Sequence, residues 1–188
     1  MKIESSNIFE DVLIFKPTIY KDDRGYFFES YNDIVSDKLN VSFIQENHSV
    51  SNRNIIRGLH YQWDKPNGKL CRVVRGTVID YFVDIRKDSP TFGKYDSLVL
   101  SDETNTMVWI PPGFAHGFIS LSDNTHFLYK CTAIYDKNGE GCINPFDLDI
   151  NIYFPITPDV AIMSGKDRYA QSLSKYSQDP KFQWFTYN

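Results

Sequence analysis

The side chains best suited to move protons in this sequence lie close together between residues 57 and 69. The segment Arg57-Gly58-Leu59-His60-Tyr61-Gln62 holds one of only four histidines in the chain, and Lys69 opens the next strand-like run. A histidine can take up and release protons near neutral pH, and a lysine supplies a fixed positive charge unless it is buried. A base beside a cation suits the removal of a proton next to a carbonyl group and the stabilisation of the resulting oxyanion. The alternative is that His60 is an ordinary packed or surface histidine.

A second histidine, His116, follows Pro111-Pro112-Gly113, a sequence that predicts a tight corner between two strands. We expect His116 at that corner and at the mouth of a pocket, where it would bind a phosphate or polarise a base. The competing interpretation is that its ring nitrogens only satisfy carbonyl groups of the loop.

Two earlier segments carry polar side chains that can bind a ligand. Within residues 22–29, Arg24 and Glu29 can contact an anion and a sugar hydroxyl, although the segment also fits a turn that leads into an edge strand. Gln45 and Asn47 lie two residues apart and therefore share a strand face, and paired amides can read the edge of a nucleobase. They can equally be polar residues that face solvent.

The partners of His60 depend on the fold. Asp167 would orient the imidazole and raise its basicity if the chain brings the two together; otherwise Ser164 caps a helix and Asp167 lies in its first turn. On a regular strand Arg57 would point away from His60. Both can serve one pocket only if the strand bulges at Gly58 or if the long arginine side chain reaches the pocket rim.

Composition excludes several classes of function. The 188 residues predict a single domain, and the net charge of −4 without a basic block argues against a nucleic-acid partner. The three cysteines, Cys71, Cys131 and Cys142, show no CxxC spacing, and the chain has no His-x-His motif, so we expect neither a disulfide framework nor a metal site. Neither a signal-peptide pattern nor a membrane span is found in the sequence, and we therefore expect a cytoplasmic protein.

Alternation of apolar and polar residues predicts an all-β protein. Aromatic residues, which favour strands, make up 15% of the chain. Strands are predicted at 12–19, 25–31, 42–47, 55–62, 69–75, 77–85, 97–101, 107–110, 117–121 and 125–135. Many short strands separated by turns indicate a sandwich or barrel. In the last strand Tyr129 shares a face with Phe127 and Cys131, which we expect to be the interior.

Helices should be few and short. One is predicted from a cap at Asn32-Asp33 to about Lys38, and another over 166–176. The aromatic residues 182–187 would be costly to leave in water, so we expect this end to dock onto the body or onto a second subunit.

Taken together, these segments resemble the nucleotide-sugar epimerases typified by dTDP-4-dehydrorhamnose 3,5-epimerase. The resemblance runs from about Asp11 to Asp167. It is carried by Asp23-Arg24-Gly25 with Glu29, Gln45-x-Asn47, Arg57-Gly58-Leu59-His60-Tyr61-Gln62, Lys69-Leu70, Asp84-x-Arg86-x-x-Ser89-Pro90-Thr91-Phe92-Gly93, Pro112-Gly113-Phe114-Ala115-His116-Gly117-Phe118, Tyr129-Lys130 and Lys166-Asp167. It implies a cupin-type jelly-roll barrel with a few short peripheral helices.

The resemblance also implies roles for individual residues. His60 is similar to the general base of the family and Asp167 to its dyad partner. Tyr129 is similar to the acid on the opposite face, and Lys69 to the cation that stabilises the enolate. The remaining family positions imply substrate contacts at Arg24, Glu29, Gln45, Asn47, Arg57, His116, Glu140 and Lys166. The family works without a cofactor or metal, as a homodimer whose N-terminal strand crosses to the partner.

The function implied is epimerisation at C3 and C5 of a dTDP-4-keto-6-deoxyhexose, as in the making of dTDP-L-rhamnose. Both carbons are alpha to the C4 ketone, so one base, one acid and one oxyanion holder suffice. Residues 142–147 and 152–155 depart from the family pattern, and residues 168–188 form a longer tail than it implies. An enzyme that inverts one centre, a ketoisomerase, and a sugar- or nucleotide-binding jelly roll without turnover therefore remain as alternatives. A metal-dependent oxygenase of the same fold is the most distant one.

Overall fold

Antiparallel strands form most of the protein in the computed structural model, which describes residues 1–184. The strands are β1 (Lys2–Ser5), β2 (Leu13–Lys16), β3 (Tyr20–Asp22), β4 (Gly25–Phe27), β5 (Gln45–Ser51), β6 (Ile56–Gln62), β7 (Lys69–Arg75), β8 (Thr77–Asp84), β9 (Arg86–Lys87), β10 (Tyr95–Ser101), β11 (Met107–Ile110), β12 (Phe114–Ser120), β13 (Thr125–Cys131), β14 (Glu140–Cys142) and β15 (Phe182–Gln183). The helices are α1 (Asp33–Leu39), α2 (Gly165–Arg168) and α3 (Leu173–Tyr176). Strands thus dominate, as the alternation of the sequence predicts.

Two sheets form the body of the fold. The six-stranded sheet has the order β1-β2-β11-β7-β13-β5, and the five-stranded sheet has the order β10-β8-β12-β6-β14. Aromatic and aliphatic side chains from both sheets pack between them, among them Phe82, Phe118 and Phe127. The predicted all-β jelly roll is confirmed, although hydrogen bonds within residues 1–184 do not close the two sheets into one continuous barrel.

A corner at Gly76 sends the chain from one sheet to the other. Strand β7 belongs to the six-stranded sheet and β8 to the five-stranded sheet, and Gly76 between them has a φ of +84°. This backbone conformation is available to glycine at little cost. The corner therefore places Lys69, on β7, and Asp80, on β8, in opposite walls of the sandwich.

The outer faces of both sheets are covered by other parts of the chain. Residues of the C-terminal third, including Ile143, Phe154 and Tyr176, pack against the five-stranded sheet. Helix α1 covers part of the six-stranded sheet through Val35, which is buried beside Trp109. Both faces of the central strands are consequently buried, which explains why β12 is buried at every position.

The helices differ in part from the prediction. Helix α1 matches the predicted segment, although the Asn32 side chain makes no capping hydrogen bond. The single helix predicted over 166–176 is instead two short helices, α2 and α3. Gln171 pairs with Ile143 as an extended residue between them, and Ser172 starts α3 by accepting a hydrogen bond from Lys175 N at 3.0 Å. Pairing with the body thus interrupts the helix.

The strand predictions were wrong mainly at edges. Strands β1, β3, β9, β14 and β15 were not predicted, because strands of two to four residues carry little alternation. The predicted strand at 42–47 is shifted to Gln45–Ser51, and those at 25–31 and 125–135 end early, at Phe27 and Cys131. Pairing with a neighbouring strand, which a local pattern does not contain, sets these ends.

The C-terminal segment docks onto the body as far as the structure describes it. Strand β15 pairs in parallel with β9, and the Trp184 ring lies 4.3 Å from the Arg86 guanidinium. Residues 185–187 of the predicted aromatic segment lie outside the described residues. Among residues 1–184, none of the helices has the length and apolar character needed to span a membrane.

Candidate active site

A cavity of about 240 Å³ opens between the two sheets. The five-stranded sheet contributes Arg57, His60 and His116 to its wall, the six-stranded sheet contributes Lys69 and Tyr129, and the segment around α2 contributes Ser164, Lys166 and Asp167. Seven of the twelve residues predicted for the site therefore line one cavity, although they come from distant parts of the chain.

His60 and Asp167 are in direct contact. His60 Nε2 lies 2.7 Å from Asp167 Oδ1, and the Asp167 side chain is 5% exposed against 31% for His60. Ser164 caps α2 by accepting a hydrogen bond from Asp167 N at 3.1 Å. The capping geometry and the contact with His60 therefore occur together, and the cap holds the carboxylate in place behind the imidazole.

The pKa of Asp167 lies below its ordinary value. Burial alone would raise the pKa, but the hydrogen bond and the charge of His60, with further hydrogen bonds, outweigh it. The carboxylate is therefore ionised at neutral pH. An ionised acceptor on one ring nitrogen orients the imidazole and stabilises its protonated form, which is what a general base needs from its partner.

A bulge at Gly58 brings Arg57 and His60 to the same cavity. His60 pairs with His116 and Arg57 pairs with Phe118, so β6 has one more residue than β12 between these pairs. Gly58 has a φ of +127°, and a Cβ there would lie 2.5 Å from Gly117 Cα. Of the two predicted arrangements, the structure has the bulge, and glycine is required at this position by both its conformation and the close approach of β12.

Tyr129 and Lys69 lie on the six-stranded sheet, across the cavity from His60. The predicted inward face is confirmed, since Phe127 and Cys131 are both buried. Burial raises the pKa of Tyr129, with a hydrogen bond to Asn47 acting in the opposite direction, so the phenol stays protonated at neutral pH. Burial lowers the pKa of Lys69, whose Nζ lies 3.5 Å from the backbone oxygen of His60. The cavity thus holds a base and an acid on different sheets.

His116 is buried and does not lie at the mouth of the pocket. It lies within β12 rather than at the corner, and its Nε2 is 2.9 Å from Asp80 Oδ2 and 3.0 Å from Asp80 Oδ1. The prediction of a residue at the pocket mouth was wrong because the chain re-enters the sheet at Phe114, directly after the Pro-Gly turn. Burial lowers the pKa of His116 and raises that of Asp80.

Further charged and polar residues lie beside the cavity. Lys166 pairs with Glu140, and Tyr135 donates a hydrogen bond to Glu140 at 3.0 Å. Gln45 Nε2 donates to Asn47 Oδ1 at 2.9 Å, so these amides share a face as predicted. Glu140, Gln45 and Asn47 border a smaller cleft that also contains His60, Lys69 and Tyr129.

Of the two arginines predicted for the site, one lines the cavity and the other lies outside it. Arg57 Nε donates to Ser51 Oγ at 3.0 Å, which joins β6 to the other sheet at one end of the cavity. Arg24 is 90% exposed and pairs with Asp22 on the β3–β4 hairpin. Glu29 contacts Asn32 at 3.5 Å. The structure therefore does not bring Arg24 or Glu29 to the cavity of their own chain.

Sequence reasoning missed two residues of the site. Asp80 is fully buried beneath His116, and its signal was a carboxylate between Val78 and Phe82 on an apolar strand face. Ser49 lines the cavity, and its buried hydroxyl oxygen has no hydrogen-bond partner within residues 1–184. An unpaired hydroxyl beside a ligand cavity can bind a polar group of that ligand.

Two sets of potential metal ligands converge in this region, which the spacing of the sequence did not predict. They are His60 with Cys142 and Asp167, and Cys71 with Asp80 and His116, each with ligand atoms within 4.8 Å of one another. In both sets the histidine nitrogen already contacts the carboxylate directly. All three cysteines are free and buried, and burial raises the pKa of Cys71 and Cys142, which keeps both as neutral thiols.

Comparison with known proteins gives a consistent family. The family model for dTDP-4-dehydrorhamnose 3,5-epimerase matches residues 6–175. The dTDP-4-dehydrorhamnose 3,5-epimerase of Salmonella typhimurium is 44% identical over 179 residues, covering 93% of this chain and 97% of that protein.

Solved structures agree with the sequence comparison. A 3,5-epimerase from Legionella pneumophila, in complex with dTDP-4-keto-L-rhamnose, has a TM-score of 0.92 at 37% identity, covering 98% of this chain and 99% of its own. A 3′-monoepimerase from Streptomyces bikiniensis, in complex with dTDP-quinovose, has a TM-score of 0.86 at 30% identity, covering 93% and 89%. From its sequence and its fold, this chain belongs to the dTDP-4-dehydrorhamnose 3,5-epimerase family.

Proposed function

We propose that this protein inverts C3 and C5 of a dTDP-linked 4-keto-6-deoxyhexose by removing a proton from each carbon and returning one to the opposite face. The observation that carries the proposal is the contact of His60 with Asp167 in one wall of a cavity whose other wall presents Tyr129. Because base and acid come from different sheets, a pyranose between them is exposed to each on a different face.

The catalytic cycle follows from these positions. Asp167 contacts Nε2 of His60, which leaves Nδ1 of the same ring for the substrate, and we assign to Nδ1 the proton of C3 or C5. The electrons of the broken C–H bond move to the ketone oxygen, and Lys69 stabilises the enolate formed there. Burial brings the pKa of Lys69 down, which favours a proton shared with that oxygen. Tyr129 then protonates the carbon from the other side.

The remaining cationic groups suit the diphosphate of a nucleotide sugar. Arg57 and Lys166 line the cavity, and arginine binds phosphate oxygens through paired hydrogen bonds. We assign Gln45, Asn47 and Glu140 to the sugar and nucleotide, with His116 supporting the cavity wall through Asp80. Substrate and product have the same oxidation state, so the chemistry requires no redox cofactor.

A homodimer would complete the site. Arg24 lies on the β3–β4 hairpin beside Tyr20, Tyr26 and Phe27, which are 64%, 54% and 68% exposed. Such exposed aromatics favour contact with another surface. We assign that surface to a second copy of this chain, with the N-terminal strands exchanged and Arg24 and Glu29 delivered to the partner's cavity. Light scattering of the purified protein tests the assembly, and a monomer under assay conditions contradicts it.

The chain as a whole serves one reaction in this proposal. Residues 1–188 form a single epimerase domain, with residues 168–188 as a C-terminal extension. We place the enzyme in the cytoplasm, since its three cysteines are free thiols in residues 1–184. Fractionation of cells that express it tests this location.

Isotope exchange in heavy water distinguishes the two functions that the comparisons favour. A 3,5-epimerase incorporates deuterium at both C3 and C5 of dTDP-4-keto-6-deoxyglucose, which mass spectrometry and NMR locate. Deuterium at one carbon alone would instead support a mono-epimerase, the activity named for the Streptomyces bikiniensis relative. A ketone that moves to another carbon would support a ketoisomerase. Retention of every carbon-bound hydrogen would contradict all three.

A further inference from the structure

Two histidines outside the cavity form a contact that the epimerase reaction does not use. His48 Nε2 lies 3.0 Å from His126 Nδ1, and the ring centroids are 5.0 Å apart. His48 is on β5, where Gln45, Asn47 and Ser49 alternate with it and face the cavity side. The histidine pair therefore lies on the outer face of the six-stranded sheet, where His48 is exposed and His126 half-buried.

We propose that His48 and His126 form a surface site for a divalent transition-metal ion, with Cu²⁺ preferred over Ni²⁺ and Zn²⁺. Imidazole nitrogens are common ligands of all three ions, and affinity for a given set of ligands is highest for Cu²⁺. Solvent can supply the remaining ligands because the pair faces outward.

The separation of the two imidazole nitrogens favours one coordination geometry of the metal ion over another. Metal–nitrogen distances of about 2.0–2.1 Å combined with the observed 3.0 Å give an angle of about 94° at the metal. A tetrahedral ion would need a separation of about 3.3 Å for its wider angle. An angle near 90° fits two adjacent positions of a square-planar or tetragonal ion, the geometry typical of Cu²⁺.

The backbone holds the two ligands in position before any ion binds. Strands β5 and β13 pair in register, with His48 opposite Leu128 and Val50 opposite His126. The two histidines are therefore diagonal neighbours across the strand pair, within reach of each other for side chains of this length. Ligands on paired strands lose less conformational freedom on binding than ligands on loops.

A metal ion can replace the hydrogen bond between the two imidazole rings without removing a proton from either histidine. In the bond between the rings, one nitrogen carries the hydrogen and the other accepts it. The donating ring moves that hydrogen to its other nitrogen, which frees two lone pairs for the ion without net loss of a proton. Charges nearby are Glu46, which pairs with Lys130 at 3.1 Å, and Arg75, the cross-strand partner of His126.

Copper titration of the full-length, metal-stripped protein tests the site. We expect one Cu²⁺ per chain, an electron paramagnetic resonance spectrum with splitting from two imidazole nitrogens, and a raised Tm, because an ion that links two strands binds only the folded state. H48N and H126N should each bind Cu²⁺ at least about tenfold more weakly, a loss of ~1.4 kcal/mol, and the double variant should lose the two-nitrogen signal.

Matched controls locate the ion. H48N should keep the wild-type kcat, since it lies on the outer face, and unchanged kcat also shows that the variant is folded. H60N should keep the copper signal, because the cluster of His60, Cys142 and Asp167 is not the proposed site. Undiminished binding in the double variant, loss of binding in H60N, one ion per two chains, or no binding by the wild type up to about 1 mM Cu²⁺ would each overturn the proposal.

Discussion

A histidine paired with an aspartate occurs twice at the cavity, and the two pairs differ in burial. In one, His60 and Asp167 are 2.7 Å apart with side chains 31% and 5% exposed. In the other, His116 and Asp80 are 2.9 Å apart with side chains 8% and 0% exposed. Both imidazoles border the cavity, but His60 is the more accessible of the two, whereas His116 lies deep between the sheets.

The difference shows that position in the fold, rather than residue type, decides whether a histidine–aspartate pair can act on a substrate or only stabilises the structure. Burial raises the pKa of Asp80 and lowers that of His116, which favours a pair without charge separation. The pKa of Asp167 is lowered, because His60 and other hydrogen-bond donors outweigh burial. Only the pair that contains His60 combines an ionised carboxylate with an imidazole that a substrate can reach.

Replacing each histidine by asparagine is the strongest test of this contrast. H60N should lower kcat by about 10²–10⁴-fold, because the general base is lost, while Tm changes little at a half-exposed position. A coupled assay for the 4-keto sugar measures the rate.

The matched variant H116N should reverse the pattern, with a smaller loss of kcat and a larger loss of Tm. If H116N proves more damaging to kcat than H60N at equal Tm, the assignment of the base is wrong.

Removing the Tyr129 hydroxyl separates the two proton transfers. In Y129F, His60 can still abstract a proton, so exchange of substrate hydrogen with heavy water continues while inversion falls by roughly 10²-fold or more. NMR of the recovered substrate measures both. Equal loss of exchange and inversion would place Tyr129 on the same step as His60.

Replacing Asp167 should lower kcat less than replacing the base, His60. D167N keeps the shape of the side chain but cannot stabilise a protonated imidazole in the same way, so we expect kcat to fall about 10–10²-fold. An imidazole without an ionised neighbour holds its proton less tightly, so the fall in kcat/KM on the acid side should also move to lower pH, as pH profiles of both proteins would reveal. An unchanged rate and profile would assign Asp167 to structure alone.

Asp80 should contribute to stability rather than to the rate. D80N leaves a buried amide with an unsatisfied donor beside His116, which should lower the free energy of unfolding by about 1–3 kcal/mol. Urea unfolding measures this, and kcat of the folded variant should stay within several-fold of wild type. A stable but inactive D80N would contradict the purely stabilising role that we assign to Asp80.

Low pH should reduce the contribution of Asp167 to the stability of the fold. A carboxyl group whose pKa is lower in the folded than in the unfolded protein stabilises the fold fully above its unfolded value of about 3.9, and this contribution is lost as pH falls through the folded value. Urea unfolding between neutral pH and pH 3 should therefore show a steeper loss for wild type than for D167N. Parallel curves would contradict the lowered pKa.

Local patterns were sufficient for several parts of this molecule. Alternation in Thr77–Asp84 predicted a strand, because side chains of a strand point to opposite faces regardless of its partners. The Ser164 cap of α2 was also predictable, since a cap involves residues three positions apart. Gly58 was correctly singled out as the place for a bulge, although only the pairing with β12 selected it.

Such local patterns did not show which residues distant in the sequence would meet. The cap at Ser164 indicated a helix start but not that Asp167 would meet His60, a residue 107 positions away. The residues adjacent to His116 did not indicate which carboxylate it would meet, because the partner Asp80 lies 36 positions earlier in another strand. Arg24 and Glu29 were predicted in the site and lie outside their own cavity, since exposed side chains carry no signal of which surface they will meet.

The sequence by itself determined the strand-rich class, the family and the chemical types available for proton transfer, because these depend on residue identity and short spacing. Tertiary structure decided which histidine is accessible in the cavity, which carboxylate each one meets, and which sheet presents the acid. The physical reason is that desolvation and hydrogen bonding set the reactivity of an ionisable group, and both arise only when distant strands pack together.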